Sequence, residues 1–72
     1  MYHYQRLRDL REDSDLTQKS EAAILNITTQ QYSLYEIGNR EIPFHHAITL
    51  AKFNNVSLDY IAGLTNNKHR TP

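Results

Sequence analysis

The chain has 72 residues, enough for one domain; a domain this short buries only ~60% of the surface its unfolded form exposes, which leaves little room for a catalytic cleft. Zero cysteines exclude a disulfide scaffold and a thiolate zinc site and suit a reducing, cytoplasmic setting. Eight basic residues balance eight acidic ones, which disfavours nucleic-acid binding through bulk charge alone, and neither a membrane span nor a signal-peptide pattern is present.

Glycine and proline are scarce, at two each, and β-branched runs are absent, while apolar residues recur at helical spacing. Tyr4, Leu7, Leu10 and Leu16 mark a first segment, closed by the acidic stretch Glu12-Asp13-Ser14-Asp15. Thr17 caps a second helix running to Leu25, and Asn26 suits the left-handed backbone of a sharp turn. Thr28-Thr29-Gln30-Gln31 is a capping box opening a third helix, with Ile27 and Tyr32 placed as a hydrophobic staple. Gly38 ends that helix. Pro43 leads into a fourth, from Phe44 to Phe53, which Asn54-Asn55 break. Ser57 caps a fifth, with Val56 and Ile61 as its staple, and Gly63 stops it. Residues 1–64 thus read as one compact, all-α, five-helix domain, and 65–72 as a polar, frayed tail.

The helices flanking Asn26 have the lengths and short connection of a helix-turn-helix, and Ala22 is small enough for the point where their axes cross. On the third helix Tyr32 and Tyr35 point to the core together with Ile27, while Thr29, Gln30, Ser33 and Leu34 lie on the opposite side. That outer face is uncharged yet rich in hydrogen-bonding groups. Glutamine pairs bidentately with adenine N6 and N7, and threonine or leucine methyls meet the thymine methyl. Thr29, Gln30 and Leu34 are therefore candidate readers of an A/T-containing major-groove site. Gln31 is assigned to the capping box.

The chain resembles the phage repressor (Cro-like, lambda-repressor-like) helix-turn-helix regulators, best their short Gram-positive-type members, from about Arg6 to Leu64. The carrying stretches are Arg6-Leu7-Arg8-Asp9-Leu10-Arg11, Leu16-Thr17-Gln18, Leu25-Asn26-Ile27-Thr28, Tyr32-Ser33, Tyr35-Glu36, Gly38-Asn39-Arg40-Glu41-Ile42-Pro43, Leu50-Ala51-Lys52 and Val56-Ser57-Leu58-Asp59-Tyr60-Ile61-Ala62-Gly63-Leu64. The resemblance implies a third helix that enters the major groove of double-stranded DNA. It places Thr29, Gln30, Ser33 and Leu34 toward the bases, and Gln18, Lys19, Thr28, Asn39 and Arg40 toward the sugar–phosphate backbone. It also implies a partly buried ion pair between Arg11 and Glu36.

Three residues depart from that pattern. Glu21 stands where the family has an aliphatic core residue, so it either reaches solvent at the helix edge or is satisfied by a partner such as a nearby Arg or Tyr. Leu34 replaces a polar or basic contact. The outer face of the third helix has no Lys or Arg, so affinity falls to Gln18, Lys19, Asn39, Arg40 and the helix ends.

Other readings are weaker. His45-His46 are neighbours, which chelate one ion poorly; one is expected to be exposed and the other to pack, with His3 and His69 in terminal arms. No nucleophile–base–orienter set and no phosphate-cradling glycine loop is present, so the chain reads as a non-enzyme without metal or cofactor. The tyrosines could stack on single-stranded nucleic acid, but Tyr32 and Tyr35 sit at core spacing and Tyr60 follows a cap into a staple helix. The reading is a sequence-specific DNA-binding transcriptional regulator, a repressor acting as a homodimer, with one or more of Leu58, Ile61 and Leu64 as the suspected self-association surface and no separate effector domain. The alternative is a protein-interaction module, an antitoxin or anti-repressor partner, on the same fold.

Overall fold

Helix ends set the path of this chain. The computed structural model describes residues 4–68 and contains α1 (Gln5–Asp13), α2 (Gln18–Leu25), α3 (Thr29–Glu36), α4 (Phe44–Asn54) and α5 (Leu58–Ala62). Each helix is followed by a residue in the left-handed region: Asp15 (φ 58°), Asn26 (58°), Gly38 (82°), Asn55 (54°) and Gly63 (81°). The same two backbone hydrogen bonds recur at each. After α2, Asn26 N–H donates to the Ala23 carbonyl (3.1 Å) and Ile27 N–H to that of Ala22 (2.9 Å); after α3, Gly38 N–H donates to Tyr35 (3.2 Å) and Asn39 N–H to Leu34 (3.0 Å). These bonds occupy carbonyls that a helix end otherwise leaves orphaned.

The starts of α2, α3 and α5 are equally specific. Thr17 Oγ1 accepts from Ser20 N–H and Ser57 Oγ from Tyr60 N–H. At Thr28 both halves of the capping box form, Gln31 N–H to Thr28 Oγ1 and Thr28 N–H to Gln31 Oε1, each at 3.1 Å. Two boundaries differ from the sequence reading. Helix α4 continues one residue beyond Phe53, because Asn54 Nδ2 bonds back to the Leu50 carbonyl at 2.8 Å and Asn55 takes the left-handed turn instead. Leu16 lies beyond the end of α1, in a connection that Asp15 turns.

The core joins Leu7 and Leu10 of α1, Ala22 and Leu25 of α2, Tyr32 of α3, Ile42, then Ala47, Leu50 and Ala51 of α4, and Val56, Tyr60 and Ile61. Helix α2 packs on α3 and α4, and α1 on α3 and α5. Ile42 N–H donates to the Tyr4 hydroxyl (3.2 Å), which fastens the α3–α4 loop to the start of the described chain. Residues 65–68 lie against α1 and α5. The Lys68 carbonyl accepts from Ser57 N–H (3.1 Å), and the Arg6 guanidinium sits 4.4 Å from the Tyr60 ring centre while bonding to Asn66. Tyr2, His3 and His69 lie outside the described residues.

The α2–α3 turn yields a test. A non-glycine residue other than Asn or Asp pays roughly 1–2 kcal/mol in the left-handed region. Asn26→Ala should therefore lower unfolding free energy in urea by about that amount, while Asn26→Gly leaves it nearly unchanged. Equal stabilities for the two variants would show that the turn is not under this constraint.

Candidate nucleic-acid interface

Helix α3 is anchored from behind. Tyr32 is completely buried, and Glu36, with its side chain only 3% exposed, meets Arg11 in a two-pronged ion pair: Nε to Oε2 at 2.9 Å and Nη2 to Oε1 at 3.2 Å. Arg11 Nη1 donates to the Leu16 carbonyl (2.9 Å), and Gln18 Nε2 donates to Glu36 Oε2 (3.3 Å). One carboxylate thus ties the end of α3 to α1 and to the first residue of α2. The planar guanidinium makes this possible, since it offers parallel donors in a fixed fork. Gln18, which the family resemblance implies is turned toward phosphate, has one amide N–H turned inward by this bond.

Glu21 resolves in neither of the expected ways. It does not reach solvent, being 2% exposed, and its Oε2 has no hydrogen-bond partner. It sits on the buried face of α2, facing Glu36, Arg11 and Tyr32, whose hydroxyl is also unpartnered. Burial raises the Glu21 pKa, the Glu36 carboxylate raises it further, and Arg11 opposes both. The Tyr32 phenol is pushed up as well, chiefly by burial and then by the two carboxylates. Beneath the helix the one guanidinium is committed to Glu36, and Glu21 feels it only at longer range.

The other side of α3 is open. Thr29 and Gln30 are exposed, and Ser33 and Leu34 half-buried. With Gln18 these four line one shallow concavity, so the start of α2 and the outer face of α3 form one surface. Leu34 also borders a second concavity with Gln31, Tyr35, Arg40, Glu41 and Pro43, and is the ridge between the two. Lys19, Thr28, Asn39 and Arg40 are exposed around this surface. Sequence reasoning passed over Ile37, which is 57% exposed at the end of α3; its spacing of seven from Gln30 was the available signal.

Elsewhere, His45 is exposed and His46 half-buried, their rings 4.1 Å apart and that of His46 6.3 Å from the Tyr35 ring. Burial, then the neighbouring His45, lowers the His46 pKa. Among the described residues no three His, Asp or Glu side chains gather as a metal site, and no helix is long and apolar enough to cross a membrane. Tyr32 and Tyr60 are buried, with Tyr4 and Tyr35 packed against the core. Of the suspected self-association residues, Ile61 is buried, Leu58 packs against the core and Leu64 is 78% exposed.

An all-α domain whose second and third helices meet at a three-residue turn, with the third presenting an open polar face, defines a helix-turn-helix protein. The helix-turn-helix family model matches residues 7–61, and the chain belongs to that family. It is similar to two proteins of Bacillus subtilis (strain 168). With the uncharacterized HTH-type transcriptional regulator YobD it shares 39% identity over 61 residues, 85% of this chain and 54% of that protein. With the uncharacterized HTH-type transcriptional regulator YqaE it shares 38% over 55 residues, 76% of this chain and 47% of that protein. The chain thus spans about half the length of the curated relatives it matches. No solved structure gives a significant match. The likeness extends to helix-turn-helix regulators in general and does not single out the phage repressors.

Two outcomes follow for the buried cluster. Arg11→Met leaves Glu36 buried without its counter-charge and should cost about 3–5 kcal/mol in urea unfolding; a loss below ~1 kcal/mol, the value of an exposed pair, would contradict the anchoring role. A carboxyl whose pKa is higher folded than unfolded takes up a proton on folding. Its contribution is complete below the ordinary value of 4.5 and is lost as pH rises through the raised folded value. The stability advantage of Glu21→Gln over the parent should therefore widen from pH 4 towards pH 7, and a gap that stays constant would show that Glu21 titrates normally.

Proposed function

We propose that the chain is a sequence-specific double-stranded DNA-binding regulator, a repressor that works as a cytoplasmic homodimer. Helix α3 lies in the major groove, with Thr29, Gln30, Ser33 and Leu34 toward base edges. Gln18, Lys19, Thr28, Asn39 and Arg40 hold the flanking phosphates and set the register, helped by the N–H groups that open α2. No chemistry is required: an occupied operator excludes polymerase. One recognition helix reads few base pairs, so a dimer on a roughly palindromic site, with half-sites about one turn apart, supplies the remaining specificity.

The observation that carries this reading is the shared concavity, in which the outer residues of α3 and the first residue of α2 face the same open space. The names of the two Bacillus relatives, both HTH-type transcriptional regulators, support it. The balanced charge limits the electrostatic part of the affinity. With two to four phosphates neutralised per subunit, log K should fall with log salt at a slope of roughly −2 to −4 per subunit. The apolar ridge at Leu34 and the net charge of zero favour a second reading, in which the same face docks on a protein such as a toxin.

Two variants separate base reading from phosphate holding. Gln30→Ala should cost ~1–3 kcal/mol on the preferred duplex and relax preference at one base pair. Equal weakening on every sequence would remove Gln30 from the base readers. Arg40→Ala should weaken binding to all sequences alike and make the salt slope shallower by about one; an unchanged slope would take Arg40 off the phosphate list. A chain that binds no duplex but captures a protein through α3 would establish the second reading.

A further inference from the structure

Ile37, the residue that caps the C-terminal end of α3, is apolar and exposed, and neither the core nor the proposed set of DNA contacts uses it. Its backbone still follows the helix, with φ −84° and ψ −5°, so its side-chain direction continues the helical repeat. Seven positions after Gln30, it falls within about 20° of the same direction two turns on. With Gln30, Ser33 and Leu34 it stands at i, i+3, i+4 and i+7, one continuous stripe along the helix. Immediately after it Gly38 (φ 82°) reverses the chain and Asn39 N–H closes on the Leu34 carbonyl at 3.0 Å, leaving Ile37 57% exposed.

The chemistry along that stripe is graded. Its beginning, Gln30 and Ser33, carries hydrogen-bonding groups; its end, Leu34 and Ile37, carries only carbon. A solvated helix terminus favours Lys, Arg or His against the dipole, and the last turn of α3 has no basic residue. Among the four bases, thymine alone shows a methyl group in the major groove, whereas cytosine shows an amino donor at the corresponding edge. An aliphatic side chain there gains by covering the methyl and leaves the cytosine donor unpaired.

We propose that Ile37 is a specificity-determining residue that covers a thymine C5-methyl at the far end of the half-site. This rests on the reading of α3 as the groove-facing helix. The axial rise from Gln30 to Ile37 is ~10.5 Å, about three base-pair steps of ~3.4 Å. The preferred half-site therefore places its methyl-dependent thymine about three base pairs from the pair that Gln30 reads.

The test uses the duplex recovered by selection from a random library, with each thymine replaced in turn by uracil, which lacks only the C5-methyl. The parent chain should lose about fourfold in affinity at one thymine about three pairs from the Gln30-dependent position, the equivalent of one buried methylene-sized group at ~0.8 kcal/mol. Ile37→Ala, whose exposed position leaves the fold intact by circular dichroism, should bind the thymine and uracil duplexes equally at that site while keeping the Gln30-dependent preference. Identical uracil profiles for the parent and Ile37→Ala overturn the role of Ile37 and leave the DNA reading standing. Recovery of no duplex at all overturns the DNA reading and this inference together.

Discussion

Everything presented by α3 depends on what Glu36 accepts. Its two oxygens take the Arg11 fork and the Gln18 amide, and Arg11 in turn holds the Leu16 carbonyl at the bend into α2. The pose of α3 relative to α1 and α2 is thus fixed by directional bonds near its C-terminal end, and by the capping box and the left-handed Asn26 at its N-terminal end. A helix held at both ends presents its outer residues with little freedom left to lose on binding, which lowers the entropic cost of docking. The second carboxyl, Glu21, works against this anchor. It occupies buried space with one oxygen unpartnered, and burial and the Glu36 carboxylate both favour its neutral form.

The outer face obeys a different rule. It carries no charge, so any attraction it exerts is short-ranged and depends on matching groups one by one. The exposed cations nearby, Lys19 and Arg40, stand at its edges rather than along it. A face of this kind suits discrimination better than raw affinity. The charge balance, which at first argues against nucleic acid, is compatible with a reader whose non-specific binding is weak.

Much of this was legible in the primary structure because it is written in local chemistry. Thr17, Thr28 and Ser57 cap helices for reasons contained within four residues, and Gly38, Gly63 and Asn26 stop them by backbone preference alone. The division of α3 into a core side with Tyr32 and an open side with Gln30 follows from the helical repeat. Asp15 was hidden because its acidic neighbours read as a solvated closing stretch, and the limit of α4 moved because an Asn side chain bonded back rather than breaking the helix. Glu21 was illegible for a deeper reason. Its fate depends on a guanidinium and a second carboxyl brought near it from two other helices, which is a tertiary fact. Ile37 was overlooked because it directly precedes the stop signal, where an apolar residue is readily assigned to the core.

The central claim, that the open face of α3 is the surface that meets DNA, is tested most directly by an amide-resolved NMR titration of the whole chain with a duplex carrying its selected half-site. Shift changes should concentrate at Gln18–Lys19, along Thr28–Leu34 and at Asn39–Arg40, and fade as salt is raised. Changes gathered instead around Phe53 and Leu64, with α3 unmoved, would contradict the account.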